Sequence, residues 1–464
     1  MQTLAAVFLA ALSSLAASAA DPARPSLSGT VTDQTGAPVP RATVYIWTAA
    51  VKEGYSTFCP SCYPDCGKHA DTNDQGKFEI KSLDPNLLFE VMVAKEGCAP
   101  TSQTRIDPLS PDRPVIRLPP RAALPDDVRQ RISGLVVDMD GNPVPHAMVS
   151  PQGITWASPD HGLITSMGAI DGIEKFTLTN ANGEFTLAFE KAPVNKWNLF
   201  IQARGFAKAL FRDLTSLEAS KGLKIGPGAL VQGRLIRDGK PVADALMTLS
   251  HADRSGLRFL GDQYIGTDQD GRFVFAGVPV AVIPRPNPQQ QFLPPAPPAN
   301  GWWLAPAPDS LQREGAAVPQ LIRVSKHDQV IDVGDVVLTD SLHIKGRVIL
   351  SDGKPVPDGS RIYAGLSNTS FAVQRFIASD GSFDLGGLHP DDWLISVAVP
   401  GYVVSHANPN HFGGGLQGRL EKDINDLVIL LDAGVEPPGA VTDPPYKPFK
   451  SIERPHAPAA QGPK

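Results

Sequence analysis

Short runs of alternating apolar and polar residues, each closed by a turn of Asn, Asp, Thr or Gly, recur along the chain. One such run returns four times. It reads Gly29-Thr-Val31-Thr-Asp33-Gln-Thr-Gly36-Ala-Pro38-Val39-Pro40-Arg-Ala42, then Gly134-Leu-Val136-Val-Asp138-Met-Asp140-Gly141-Asn-Pro143-Val144-Pro145-His-Ala147. The third copy is Gly233-Arg-Leu235-Ile-Arg-Asp238-Gly239-Lys-Pro241-Val242-Ala-Asp-Ala245, and the fourth is Gly346-Arg-Val348-Ile-Leu-Ser-Asp352-Gly353-Lys-Pro355-Val356-Pro357. Period-two alternation, a tight turn and a return opened by Pro-Val predict a strand, a hairpin and a second strand. Glycine supplies the positive φ of the turn, and proline stands at a strand entry where its missing N–H costs little.

A second signature follows each copy: Asn73-Asp-Gln-Gly76-Lys-Phe78, Asn180-Ala-Asn-Gly183-Glu-Phe185, Asp268-Gln-Asp-Gly271-Arg-Phe273 and Ser379-Asp-Gly381-Ser-Phe383. It predicts another hairpin, with Phe and the apolar residue two places on facing inward. A third strand is expected at Phe89–Val93, Trp197–Ile201 and Trp393–Val397, and in the third copy it begins at Trp302.

The repeated glycines at 29, 134, 233 and 346 lie roughly 100 residues apart, a domain spacing rather than that of a solenoid. The chain therefore reads as all-β, a tandem array of four antiparallel β-sandwiches of a seven-stranded type. The expected units are 25–118, 130–226, 229–339 and 342–432, joined by short Pro- or Gly-bearing connectors that favour a semi-rigid row.

The two signatures together resemble the carboxypeptidase regulatory-like domain. That resemblance covers all four units. It implies a transthyretin-like, carbohydrate-binding-like sandwich, common in tandem in exported bacterial proteins and used there as an accessory, folding or binding module. The third copy departs with Val242-Ala243, and the fourth has Gly359 where Ala is usual. The metallopeptidase chemistry in the family's name has no counterpart: the chain contains no His-Glu-x-x-His, His-x-x-Glu, Gly-x-Ser-x-Gly or P-loop. Ala42-Thr-Val-Tyr45-Ile-Trp47 with Glu53-Gly-Tyr55 is also similar to the intradiol dioxygenases. Their iron site implies two Tyr and a His-x-His pair, and no His-x-His occurs here. The chain is thus expected to be no enzyme and to need no cofactor.

Composition adjusts this picture at its edges. With 45 Pro and 42 Gly, about a fifth of the 464 residues, the chain is dense in turns without reaching the composition of a disordered protein. Its net charge of −6 and lack of a Lys/Arg-rich stretch exclude a nucleic-acid partner. The apolar run Leu4–Leu15, followed by small residues to Ala20, predicts a signal peptide over 1–20 and hence a secreted, periplasmic or envelope protein. No later run is long enough to span a bilayer. Residues 433–464, rich in Pro, are expected to form a disordered tail.

Candidate chemistry lies in loops that differ between copies. The first inserts Cys59-Pro-Ser-Cys62-Tyr-Pro-Asp-Cys66, and Cys98 completes the cysteines. In an exported chain these four are expected to form two disulfides of unknown pairing, one of them through Cys98. A four-thiolate zinc site and a redox pair are the alternatives. The second inserts 152–176 with Trp156, Asp160 and His161, where no nucleophile stands near. The third inserts 279–308, whose polyproline-like run Pro294–Pro298 is followed by Trp302 and Trp303, of which strand alternation should expose one to stack on a sugar. His406 and His411 lack a third metal ligand by spacing, so no metal site is predicted. The functional expectation is a non-catalytic binding or scaffold module, with polysaccharide held by Trp302, Trp303 and Trp156, or an envelope protein, as partner. A structural spacer or protein-interaction rod, or a Cys-centred metal or redox role, are the other readings.

Overall fold

The computed structural model describes residues 24–434 apart from 54–55, 57–59, 62, 159–161, 169, 255–257, 282–299, 312–314, 367–368 and 370. The expected signal peptide, the core of the Pro-rich insertion, Asp160, His161 and nearly all of the tail lie outside these residues.

Within them the chain is a tandem array of β-sandwiches, and its buried apolar residues fall into four clusters that follow one another in sequence. In the first sandwich, Leu27–Thr32 pairs antiparallel with Lys77–Ile80 and parallel with Val115–Arg117. The facing sheet orders His69–Asp71, Thr43–Val51, Leu87–Ala94 and Thr101–Ile106. The same plan recurs around Arg131–Val137, Ala229–Arg237 and Leu342–Leu350, each beside its Gly-x-Phe strand on one side.

Two expectations are corrected here. The strands flanking each second-signature turn, such as His69–Asp71 and Lys77–Ile80, lie in facing sheets instead of pairing as a hairpin, so each of these turns carries the chain from one sheet to the other. The sandwiches are not purely antiparallel, because in each the opening strand pairs in parallel with a late strand: Leu223–Lys224, Val330–Leu338 and Ile424–Ala433 in the later three. The opening strand thereby becomes the centre of its sheet, and the unit closes on itself without relying on a hairpin.

The repeated signatures acquire a packing reason. In all four sandwiches the first Gly stands opposite the Phe of the second signature: Gly29 and Phe78, Gly134 and Phe185, Gly233 and Phe273, Gly346 and Phe383. The ring lies across the strand where a side chain would stand. A Cβ on Gly29 would come within 2.6 Å of the Phe78 ring and 2.7 Å of the Pro114 carbonyl oxygen. That glycine serves close approach, whereas Gly76, at φ +69°, serves the turn.

A buried threonine, absent from the sequence reading, ties the return strand to the core. The Thr72 hydroxyl accepts from the Ala42 amide at 2.8 Å and donates to the Val39 carbonyl at 2.7 Å. Thr179 does the same for Ala147 and Val144, and Thr267 for Ala245 and Val242. The preceding residue, Arg41, His146 or Asp244, takes positive φ near +56°. In the fourth sandwich Gly359 takes that left-handed position and Ser360 the buried place of Ala42, one residue later than the sequence alignment puts it. Ile377 stands where the threonine would be, and among the described residues the buried Ser360 hydroxyl has no hydrogen-bond partner.

Candidate functional site: a cleft among three sandwiches

The sandwiches pack against one another. Phe200, from the central strand Val194–Gln202 of the second, is buried in the third sandwich's core cluster with Val231, Met247 and Leu260. Tyr45 of the first lies 6.1 Å, ring to ring, from His146 of the second. The Gly266 amide of the third donates to the Ser56 carbonyl of the first. The connectors take part as well: Arg121 pairs with Glu174 at 2.6 Å, the Gly228 amide donates to His327 Nδ1 at 3.0 Å, and Arg237 reaches Asp340 at 2.7 Å.

Where three sandwiches meet, a cleft of about 520 Å³ opens, lined by Trp47 from the first, Arg204, Phe206 and Lys208 from the second, and Asp262 and Tyr264 from the third. A smaller cavity of about 230 Å³ adjoins it between Tyr45, Trp47, His69, His146 and Arg204. The turn Ala203–Phe206 follows the central strand, with Gly205 at φ +80° and the Phe206 amide donating to the Ala203 carbonyl. It projects Arg204 toward the first sandwich, beside Gly67.

The charges of the cleft are unbalanced. Lys208 Nζ stands 3.8 Å from the Phe200 ring centroid, and burial holds its pKa below the ordinary lysine value. Among the described residues neither Arg204 nor Lys208 has a carboxylate within ion-pair distance. Asp262 is already engaged: it accepts from Arg254 at 2.9 Å and from the Ser250 hydroxyl at 2.7 Å. In the smaller cavity, burial first and the neighbouring His69 second push the His146 pKa down, which favours a neutral ring.

The residues singled out in the sequence lie elsewhere. Trp302 is sealed in the core at 0% exposure, 4.8 Å from the His251 ring, so its part in sugar stacking is corrected to a packing role. Trp303, one residue on, is partly buried, as alternation requires. Trp156 is also partly buried and packs edge-on against Phe189 at 5.8 Å, its indole nitrogen shielded and without a partner among the described residues. His406 and His411 do meet, with ring centroids 4.2 Å apart, but among the described residues no group of three metal-binding side chains forms.

Of the cysteines, Cys59 and Cys62 lie outside the described residues. Cys66 and Cys98 are both free thiols, so the staple expected through Cys98 is not formed between them. Burial pushes the Cys66 thiol up to about 11, and its Sγ donates to the Pro60 carbonyl at 3.3 Å. The inserted loop is instead held by Asp65, whose buried carboxylate accepts from Arg24 at 2.9 Å, from Lys68 at 2.7 Å and from the Asp84 amide at 2.7 Å.

No family model matches the chain, and no curated protein matches it. Among solved structures it is similar to the Bacillus anthracis TIE protein, at 10% identity over 88% of this chain and 73% of that one, with a TM-score of 0.18. It is also similar to GBS52, the minor pilin of Streptococcus agalactiae (12% identity, 45% of this chain and 98% of that one, TM-score 0.22). A streptococcal ancillary pilin matches at 8% identity over 87% and 98%, with a TM-score of 0.18. The β-sandwich architecture rests on the strand pairing above. No described helix is long and apolar enough to cross a membrane.

Proposed function

We propose that this chain is an exported, non-catalytic structural module of the carboxypeptidase regulatory-like kind, a coupled row of β-sandwiches that spaces and presents surfaces at the cell envelope. The observation that carries this reading is the sharing of side chains across junctions, above all Phe200 of the second sandwich inside the core of the third. Independent binding modules on loose linkers have no need to bury an aromatic ring in a neighbour. Polysaccharide recognition through Trp302 has no support in this geometry, because a sealed indole cannot meet a sugar.

Small-angle X-ray scattering of the mature chain tests the proposal. One fixed particle with the first three sandwiches held together is expected, and Phe200→Ser should broaden the distance distribution and open a protease site near 203–228. Scattering typical of independently moving domains in the parent chain would overturn it.

A further inference from the structure

We propose that the cleft between the first three sandwiches is a binding site for an acidic sugar, recognised through its carboxylates by Arg204 and Lys208 and through its ring face by Trp47. Arg204 and Lys208 line one cavity without a counter-charge among the described residues, and the one carboxylate that lines it, Asp262, is already held by Arg254 and Ser250. A lysine placed partly out of water against Phe200, with no anion beside it, costs free energy that a bound carboxylate would offset. A volume of about 520 Å³ suits one or two sugar rings, in the range typical of small-ligand pockets. Trp47 and Tyr264 add partly exposed aromatic faces to the wall. Rings beside cations favour a uronate over a bare anion such as phosphate, which would use the charges and leave the aromatic wall empty.

Calorimetric titration of the full chain with digalacturonate tests this site, with cellobiose as the neutral ring pair and a tetraglutamate peptide as a carboxylate source without sugar rings. Digalacturonate is expected to bind, more weakly as salt rises, and cellobiose and tetraglutamate are expected to give no binding. Arg204→Gln, on an exposed turn, should weaken binding tenfold or more with an unchanged melting temperature, and Lys208→Gln should weaken binding to a similar degree. The proposal is overturned if digalacturonate fails to bind at millimolar concentration, if neither variant weakens it, or if tetraglutamate binds as well. The scattering profile reports the row of sandwiches independently, so loss of either reading leaves the other standing.

Discussion

Gly29 lies directly beneath the ring of Phe78, its partner across the strand pair, and a methyl group there would come within 2.6 Å of the ring and 2.7 Å of the Pro114 carbonyl oxygen. The ring has some freedom to tilt, but the backbone oxygen on the other side does not. Gly29→Ala should therefore destabilise the first sandwich by about 1–3 kcal/mol. Gly365→Ala is the control, since a Cβ there meets nothing closer than 3.7 Å, and its effect should stay within about 0.5 kcal/mol. Urea unfolding of both variants checks the contrast.

The threonine latch gives a paired expectation. Thr72→Val keeps the shape but leaves the buried Ala42 amide without its acceptor, at a cost of about 1–3 kcal/mol. Ser360→Ala removes a buried hydroxyl that has no partner and should be neutral or stabilising by up to about 1 kcal/mol. Calorimetric melting that found Ser360→Ala as damaging as Thr72→Val would show that Ser360 is satisfied by solvent.

Asp65 takes the role expected of a disulfide in the inserted loop. Asp65→Asn keeps the volume while removing the charge that Arg24 and Lys68 face. Both cations still reach solvent, so the loss should be about 2–4 kcal/mol, at or below that of a fully buried pair. Faster amide exchange at residues 60–68, with exchange in the fourth sandwich unchanged, is the expected signature.

Cys66 links stability to alkaline pH. In the unfolded chain its thiol ionises near the ordinary value, whereas burial holds the folded thiol protonated to about 11. Its contribution is therefore complete below about pH 8.5 and is lost as pH rises through 11, since only the unfolded chain gains the thiolate in that window. Alkylation by iodoacetamide, mapped by mass spectrometry, should leave Cys66 unmodified at pH 8 in native protein and label it fully in urea. Prompt native labelling at pH 8 would contradict the burial.

The four-fold repetition, the turns and the inward Phe of each second signature were legible in the sequence, because strand alternation and turn chemistry act over a few neighbouring residues. Alternation within one strand was legible too, one indole of Trp302 and Trp303 in and the other partly out, but period two does not say which, and the buried one is Trp302. Three kinds of feature were not legible. The parallel pairing of Leu27–Thr32 with Val115–Arg117 joins segments far apart in the chain. The Thr72 latch looks like any strand-end threonine until Ala42 and Val39 are folded against it. Arg204 and Lys208 carry no local signal, and Trp47 stood out only within a dioxygenase-like stretch, since the meaning of all three depends on how one sandwich rests on another. Sequence alone determined the unit and its number, which are matters of local geometry. Only the tertiary structure decided the cleft, because an unpaired charge or a shared aromatic ring is defined by neighbours that chain spacing does not supply.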